Sequence, residues 1–180
     1  MLKSVLLKRA GVTLVELMIG LALVGLLLLL GMPGYRNWTA AYELRSTAEQ
    51  LAHSLMLART EAIRRGHRVN LCKSSDRRNC ADAGGWDPGW VVFADADRDG
   101  RVDGDDRLLR REDVAAADIT IRANRPLDDY VSYTSLGHAR LLNGALQMGT
   151  FVVCRPGQSA IHVVLANSGR VRMERTRDPC

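Results

Sequence analysis

The chain has no nucleophile elbow, no phosphate-binding glycine loop and no His-Glu-x-x-His, and its four histidines, His53, His67, His138 and His162, are scattered. With no nucleophile, base and ligand set grouped in the sequence, these absences argue against an enzyme and against any required cofactor. No internal repeat or low-complexity tract is present. Cys72, Cys80, Cys154 and Cys180 include no Cys-x-x-Cys, so finger and ribbon spacings are missing and zinc is the weaker competitor to two disulfides. Cys72 with Cys80 would close a short loop and Cys154 with Cys180 would pin the C-terminus; other pairings remain open. Net charge is also scarce. Of the +5 total, Lys3, Lys8 and Arg9 supply +3, leaving +2 for the rest. Whole-chain basicity is therefore weak support for a nucleic-acid partner.

What is present is unevenly placed. Much of the 47% hydrophobic content precedes Pro33, and the remainder reads as one rather polar small domain. The stretch from Val12 to Met32 carries one charge, Glu16. About 20 apolar residues can cross ~30 Å of hydrocarbon, and Lys3, Lys8 and Arg9 before them orient the N-terminus to the cytoplasm. A secretory signal would have a shorter core and a small-residue cleavage site; Gly31-Met32-Pro33-Gly34 is no such site. A carboxylate at membrane depth costs at least ~2.5–3.5 kcal/mol and marks a function by default. A simple anchor leaves Glu16 unexplained.

The run "KRAGVTLVELMIGLALVGLLLLLGMPGY" resembles the N-terminus of type IV pilins and pseudopilins. The resemblance implies cleavage after Gly11 by a prepilin peptidase, methylation of the new N-terminus at Val12, and Glu16 as the fifth mature residue. Thr13, Leu14 and Glu16 match the pattern, Pro33 falls where many pilins carry a helix-distorting proline, and Val12 departs from the usual phenylalanine. Physically, the amine freed at Val12 is a cation with which Glu16 of a neighbouring subunit can pair. Glu16 would thereby set the register between subunits.

Ala41, Leu44, Ala48, Leu51, Leu55, Ala58 and Ala62 recur at alternating three- and four-residue spacing, which predicts an amphipathic helix laid on a sheet. Gly66 follows Arg64 and Arg65 and suits its C-terminus. With the apolar run this makes a helix of ~50 residues, or ~75 Å. Beyond Gly66, "RVNLC", "GWVVFA", "RLLRR", "ITIRA", "YVSYT", "TFVVC", "IHVVLA" and "GRVRME" read as strands between turn residues. The expected organisation is a leader over 1–11, a transmembrane helix over 12–33, an amphipathic helix over 34–66 and a β-rich domain over 67–180. The class is α+β, a long N-terminal helix packed on antiparallel sheets. Trp90 and Phe93 are expected in the core, and Trp86 is left open.

A narrower resemblance covers nearly the whole chain: "LARTEAIRRGHRVNLC", "GWVVFADADRDGRVD", "GTFVVC" and "VVLANSGRVR" are similar to the FimT and GspH minor pilins and pseudopilins. It implies the type IV pilin fold, a single-pass inner-membrane protein with a periplasmic domain that enters a pilus or pseudopilus, and other pilin subunits as partners.

Two sites follow. In "SGRVRMERTR" an extended strand puts Arg170 and Arg172 on one face and turns Val171 and Met173 towards the core. Guanidinium forks suit successive phosphates. Gly169-Arg170-Val171-Arg172 resembles the DNA-binding signature of FimT-type pilins that act in natural transformation. By that likeness Arg170 and Arg172 are the phosphate contacts; Arg175 and Arg177 extend them on charge alone, and Arg155 could join through a Cys154–Cys180 link. The plain alternative is an edge strand whose charges prevent aggregation, in a secretion pseudopilin or a pilus-priming subunit with no DNA role.

The second site is "DADRDGRVDGDD". It matches a calcium loop with Asp95, Asp97 and Asp99 at alternate positions, Gly100 at the turn, the Arg101 carbonyl, Asp103, and Asp106 last. Asp106 stands where a bidentate Glu is usual, and the loop follows a strand. An Asp/Gly-rich turn is the competing reading.

Overall fold

The computed structural model describes residues 13–180 apart from 105 and 115, and does not describe the side chains at 28, 30, 31 and 33. The leader, the cut site at Gly11 and the new N-terminus at Val12 lie outside the described residues. The chain divides into two units, Met1–Thr39 and Ala40–Cys180.

Helix α1 spans Leu14–Arg65 and runs through the Pro33-Gly34 pair without interruption. It opens with a helix cap: Thr13 Oγ1 accepts the amide of Glu16 at 3.3 Å, and the Thr13 carbonyl accepts the amide of Leu17 at 3.1 Å. Glu16 lies in the first turn, where the helix dipole favours an acid. In the first unit Leu14, Leu17, Leu21, Val24, Leu27 and Leu29 are all more than half exposed. Among the described residues, no helix is long and apolar enough to cross a membrane. Residue 12 and the side chains at 28, 30, 31 and 33, within the expected span, lie outside that description.

In the second unit the helical stripe is buried as its spacing requires: Leu44, Ala48, Leu51, Leu55, Ala58 and Ala62 are at most 1% exposed. The alanines bring the helix axis close to the sheets, and each buried leucine contributes ~1.5–3 kcal/mol. The helix ends at Gly66, whose φ of 71° needs no Cβ and whose amide reaches the Ala62 carbonyl at 3.0 Å.

Eight strands follow: β1 (Val69–Lys73), β2 (Trp90–Ala94), β3 (Arg107–Glu112), β4 (Thr120–Ala123), β5 (Tyr130–Tyr133), β6 (Gly149–Cys154), β7 (Ser159–Leu165) and β8 (Val171–Pro179). They form two antiparallel sheets ordered β3-β2-β1-β5 and β4-β6-β7-β8. One core joins the α1 stripe to both sheets, with Val69, Leu71, Trp90 and Val131 from the first and Ile121, Phe151, Val153 and Val163 from the second. Trp86 belongs to it too. Its indole donates to the Leu127 carbonyl at 3.1 Å and meets the Phe151 ring edge-on at 5.2 Å.

The first sheet departs from simple alternation. Every residue of β1 and β2 is buried, because its second face carries a smaller core of Cys72, Val91 and Phe93 covered by Cys80, Val102, Leu108 and Tyr130. Trp90 and Phe93 are both fully buried, in different clusters on opposite faces. The Cys72–Cys80 disulfide holds one covering loop in place, and Val102 belongs to the other.

Candidate functional site

The arginine strand lies at an edge. Among the described residues β8 pairs with β7 alone, in the register Leu165↔Val171, Val164↔Arg172, Val163↔Met173, His162↔Glu174 and Ile161↔Arg175. Facing partners share a side of the sheet. Val171, Met173 and Arg175 therefore lie on the side of the buried Leu165, Val163 and Ile161, and Arg172 and Glu174 on the other. Val171 packs against the core, but Met173 stays 37% exposed on a strand that ends its sheet among the described residues. His162 is half-buried opposite Glu174.

Arg170, Arg172, Arg175 and Arg177 are all exposed. Arg172 Nε bonds Glu174 Oε1 at 2.6 Å on the same side of the strand, which discounts its charge for a ligand. Arg170, Arg175 and Arg177 make no ion pair among the described residues. The tail is fixed at its far end by the Cys154–Cys180 disulfide and by the Cys180 amide on the Gln158 carbonyl at 3.2 Å.

Two members of the sequence pattern have structural work. Gly169 turns with φ 79° and is buried; a Cβ there would meet the Gly137 carbonyl oxygen at 2.0 Å. The turn carrying it is stitched to the next by the Ala139 amide on the Asn167 carbonyl at 3.1 Å. Gly169 thus places Arg170 by close backbone packing. Arg155 does not join the arginines of β8, although its neighbour Cys154 is bonded to Cys180. Its Nε bonds Asp118 Oδ2 at 2.7 Å and its Nη1 reaches Glu43 and the Ala40 carbonyl. These partners raise its pKa and leave it tying α1 to the sheet, Glu43 being the largest cause.

The aspartate loop joins β2 to β3. Asp95 follows the last residue of β2 and Asp106 precedes the first of β3, so the two strand ends fix both carboxylates. Asp97 Oδ1 accepts the Asp99 amide at 3.2 Å, and Asp99 Oδ1 accepts the Arg101 amide at 2.6 Å. Gly100 turns with φ 76°, and a Cβ on it would strike Leu142. The five expected carboxylates fall into two groups that share Asp99: Asp95, Asp99 and Asp106, and Asp97, Asp99 and Asp103. Within each group the ligand oxygens lie within 4.8 Å of one another. Sequence reading missed Asn70, whose Nδ2 donates to Asp95 Oδ2 at 2.6 Å from across the sheet. No local pattern signals that contact.

The comparisons with known proteins agree with this architecture. A family model described as type II transport protein GspH matches residues 47–169. The type IV minor pilin FimU of Pseudomonas aeruginosa is 21% identical, with TM-score 0.59 over 78% of this chain and 97% of that one. The minor pseudopilin EpsH from the type 2 secretion system of Vibrio cholerae is 15% identical, with TM-score 0.50 over 76% of this chain and 99% of that one. No curated protein matches the sequence. At these identities the solved structures speak for the fold, and the family model speaks for membership. With its helix on two antiparallel sheets, the chain belongs to the GspH family of pilin-like proteins, which takes in type IV minor pilins and minor pseudopilins.

Proposed function

We propose that the chain is a minor subunit of a pilin-type filament, cut after Gly11 and anchored in the inner membrane, whose arginines in β8 and the turn before it hold DNA by its phosphates. The anchor is supported by the first unit, where apolar side chains are exposed along α1 with Glu16 as the one acid among them. A helix apolar on every side belongs in a membrane or a core. The Val12 amine of one subunit and Glu16 of the next would form the pair that draws the carboxylate into that environment. Prepilin peptidase and other pilin subunits are the partners this processing requires.

The DNA role rests on one observation. An edge strand fixed by a disulfide at its end carries exposed Arg172, Arg175 and Arg177, with exposed Arg170 in the turn just before it, and three of the four have no acidic partner among the described residues. Phosphate contacts of this kind are sequence-blind and salt-sensitive. In an equilibrium DNA-binding assay on the full chain in detergent, Arg170→Ala with Arg172→Ala should weaken binding about equally for unrelated sequences. It should also flatten the dependence of log affinity on log salt by roughly one to two. Unchanged binding would remove the DNA assignment and leave the filament subunit.

The Arg172–Glu174 pair favours a second reading. In it the charges guard a sheet edge in a secretion pseudopilin whose task is assembly. That reading predicts no DNA affinity above that of a basic control protein.

A further inference from the structure

The loop between β2 and β3 gathers carboxylates and leaves two of their buried oxygens without a hydrogen-bond partner. Asp95 is 0% exposed. Its Oδ2 is satisfied by Asn70, while Oδ1 is buried without a hydrogen-bond partner. Asp106 mirrors it at the other end of the loop: Oδ1 accepts the Ala96 amide at 3.0 Å, and Oδ2 is buried without a partner. Each strand end therefore delivers one satisfied and one orphaned carboxylate oxygen. These two carboxylates and that of Asp99 come within 4.8 Å of one another.

Leaving a buried carboxylate oxygen unmatched costs far more than leaving an exposed one, because water no longer compensates its charge. Arginines are at hand in the loop, yet Asp95, Asp97, Asp99 and Asp106 make no ion pair among the described residues. The side chains are held by strand ends and Asx turns, so Asp95, Asp99 and Asp106 converge with no ion pair of their own among the described residues.

We propose that this loop binds one calcium ion, held by Asp95, Asp99 and Asp106, with Asp97 and Asp103 supplying further oxygens. The donor set is all oxygen and nearly all carboxylate, which suits a hard cation and excludes the soft metals. Calcium takes six to eight oxygens at ~2.3–2.6 Å in a flexible shell, and a cage built from protein side chains is its habit. Magnesium keeps several waters and uses one or two carboxylates. The ion would lock the β2–β3 connection. Val102 from this loop packs against the second core of Cys72, Val91 and Phe93, so the lock would steady that side of the first sheet. The site is independent of the β8 arginines.

The test is calcium titration of the chelator-treated full chain in detergent, followed by calorimetry and by thermal unfolding, with magnesium as the parallel probe. Wild type should give saturable one-site heat and a rise of a few degrees in Tm with calcium. Asp99→Asn, an exposed substitution that leaves packing intact, should lose at least tenfold in affinity. Asp95→Asn should lose the calcium response while unfolding at a higher temperature than calcium-free wild type, since it removes the buried charge. Absence of heat and of a Tm shift up to millimolar calcium would overturn the site. So would wild-type affinity in Asp99→Asn, or an equal response to magnesium.

Discussion

Gly169 shows how a residue can look like part of a ligand motif while its work is conformational. With φ 79° and the Gly137 carbonyl 2.0 Å from where a Cβ would stand, alanine there faces both backbone strain and a clash with main chain. Strain of this kind costs about 1–3 kcal/mol. Gly169→Ala should therefore lower unfolding stability by at least that much in a denaturant titration, while Arg170→Ala, on an exposed position, should change it little. Asp76 is the comparable residue in the Cys72–Cys80 loop. Amides of Asn79 and then Arg78, each at 2.8 Å, hold its carboxyl well below the usual range. A depressed folded pKa contributes stability present above the unfolded value, ~3.9, and lost as pH falls below it. Thermal unfolding from pH 6 to pH 2 should then show the advantage of wild type over Asp76→Ala shrinking below about pH 4, as the unfolded chain takes up the proton that the folded one still refuses. An advantage that stayed constant from pH 6 to pH 2 would assign it to packing.

Among the elements, those set by a local period were legible in the sequence. The α1 stripe shows in its three- and four-residue spacing, and all eight strands fall on the short runs marked off by turn residues. What could not be read is what lies across the sheets. Complete burial of β1 and β2 depends on two loops folding over their second face, and Arg155 is diverted by Glu43 and Asp118, both distant in sequence. The candidate sites divide the same way. The aspartate loop is contiguous and was visible, whereas the Asn70–Asp95 bond and the Gly137–Gly169 approach link separate elements. β8 is the element most open to test. Its tail is pinned by a disulfide between cysteines 26 residues apart, a closure worth roughly 3–4 kcal/mol on loop entropy. Cys154→Ser with Cys180→Ser should lose about that much in denaturant unfolding, with hydrogen exchange rising first in residues 175–180. A loss confined to exchange, with global stability unchanged, would mean that β7 pairing alone holds the strand.

For the whole molecule, membership of the GspH family ties the chain to filaments of pilin-like subunits, and Glu16 is where assembly would be decided. Its position in the first turn of α1, with its amide on Thr13, also suits a helix cap. The two roles separate on substitution. The bond to Thr13 is donated by the backbone amide and survives replacement of the Glu16 side chain; loss of an intersubunit charge pair should abolish incorporation. Glu16→Ala should leave the folded domain's Tm unchanged and remove the subunit from sheared filaments. The same pairing requires that Val12 carry a free amine, which exists only after cleavage. Intact-mass measurement of the chain recovered from cells with an active prepilin peptidase is therefore the most direct test. The account predicts a mature chain beginning at Val12, carrying one added methyl group; a chain that still begins at Met1 would contradict it.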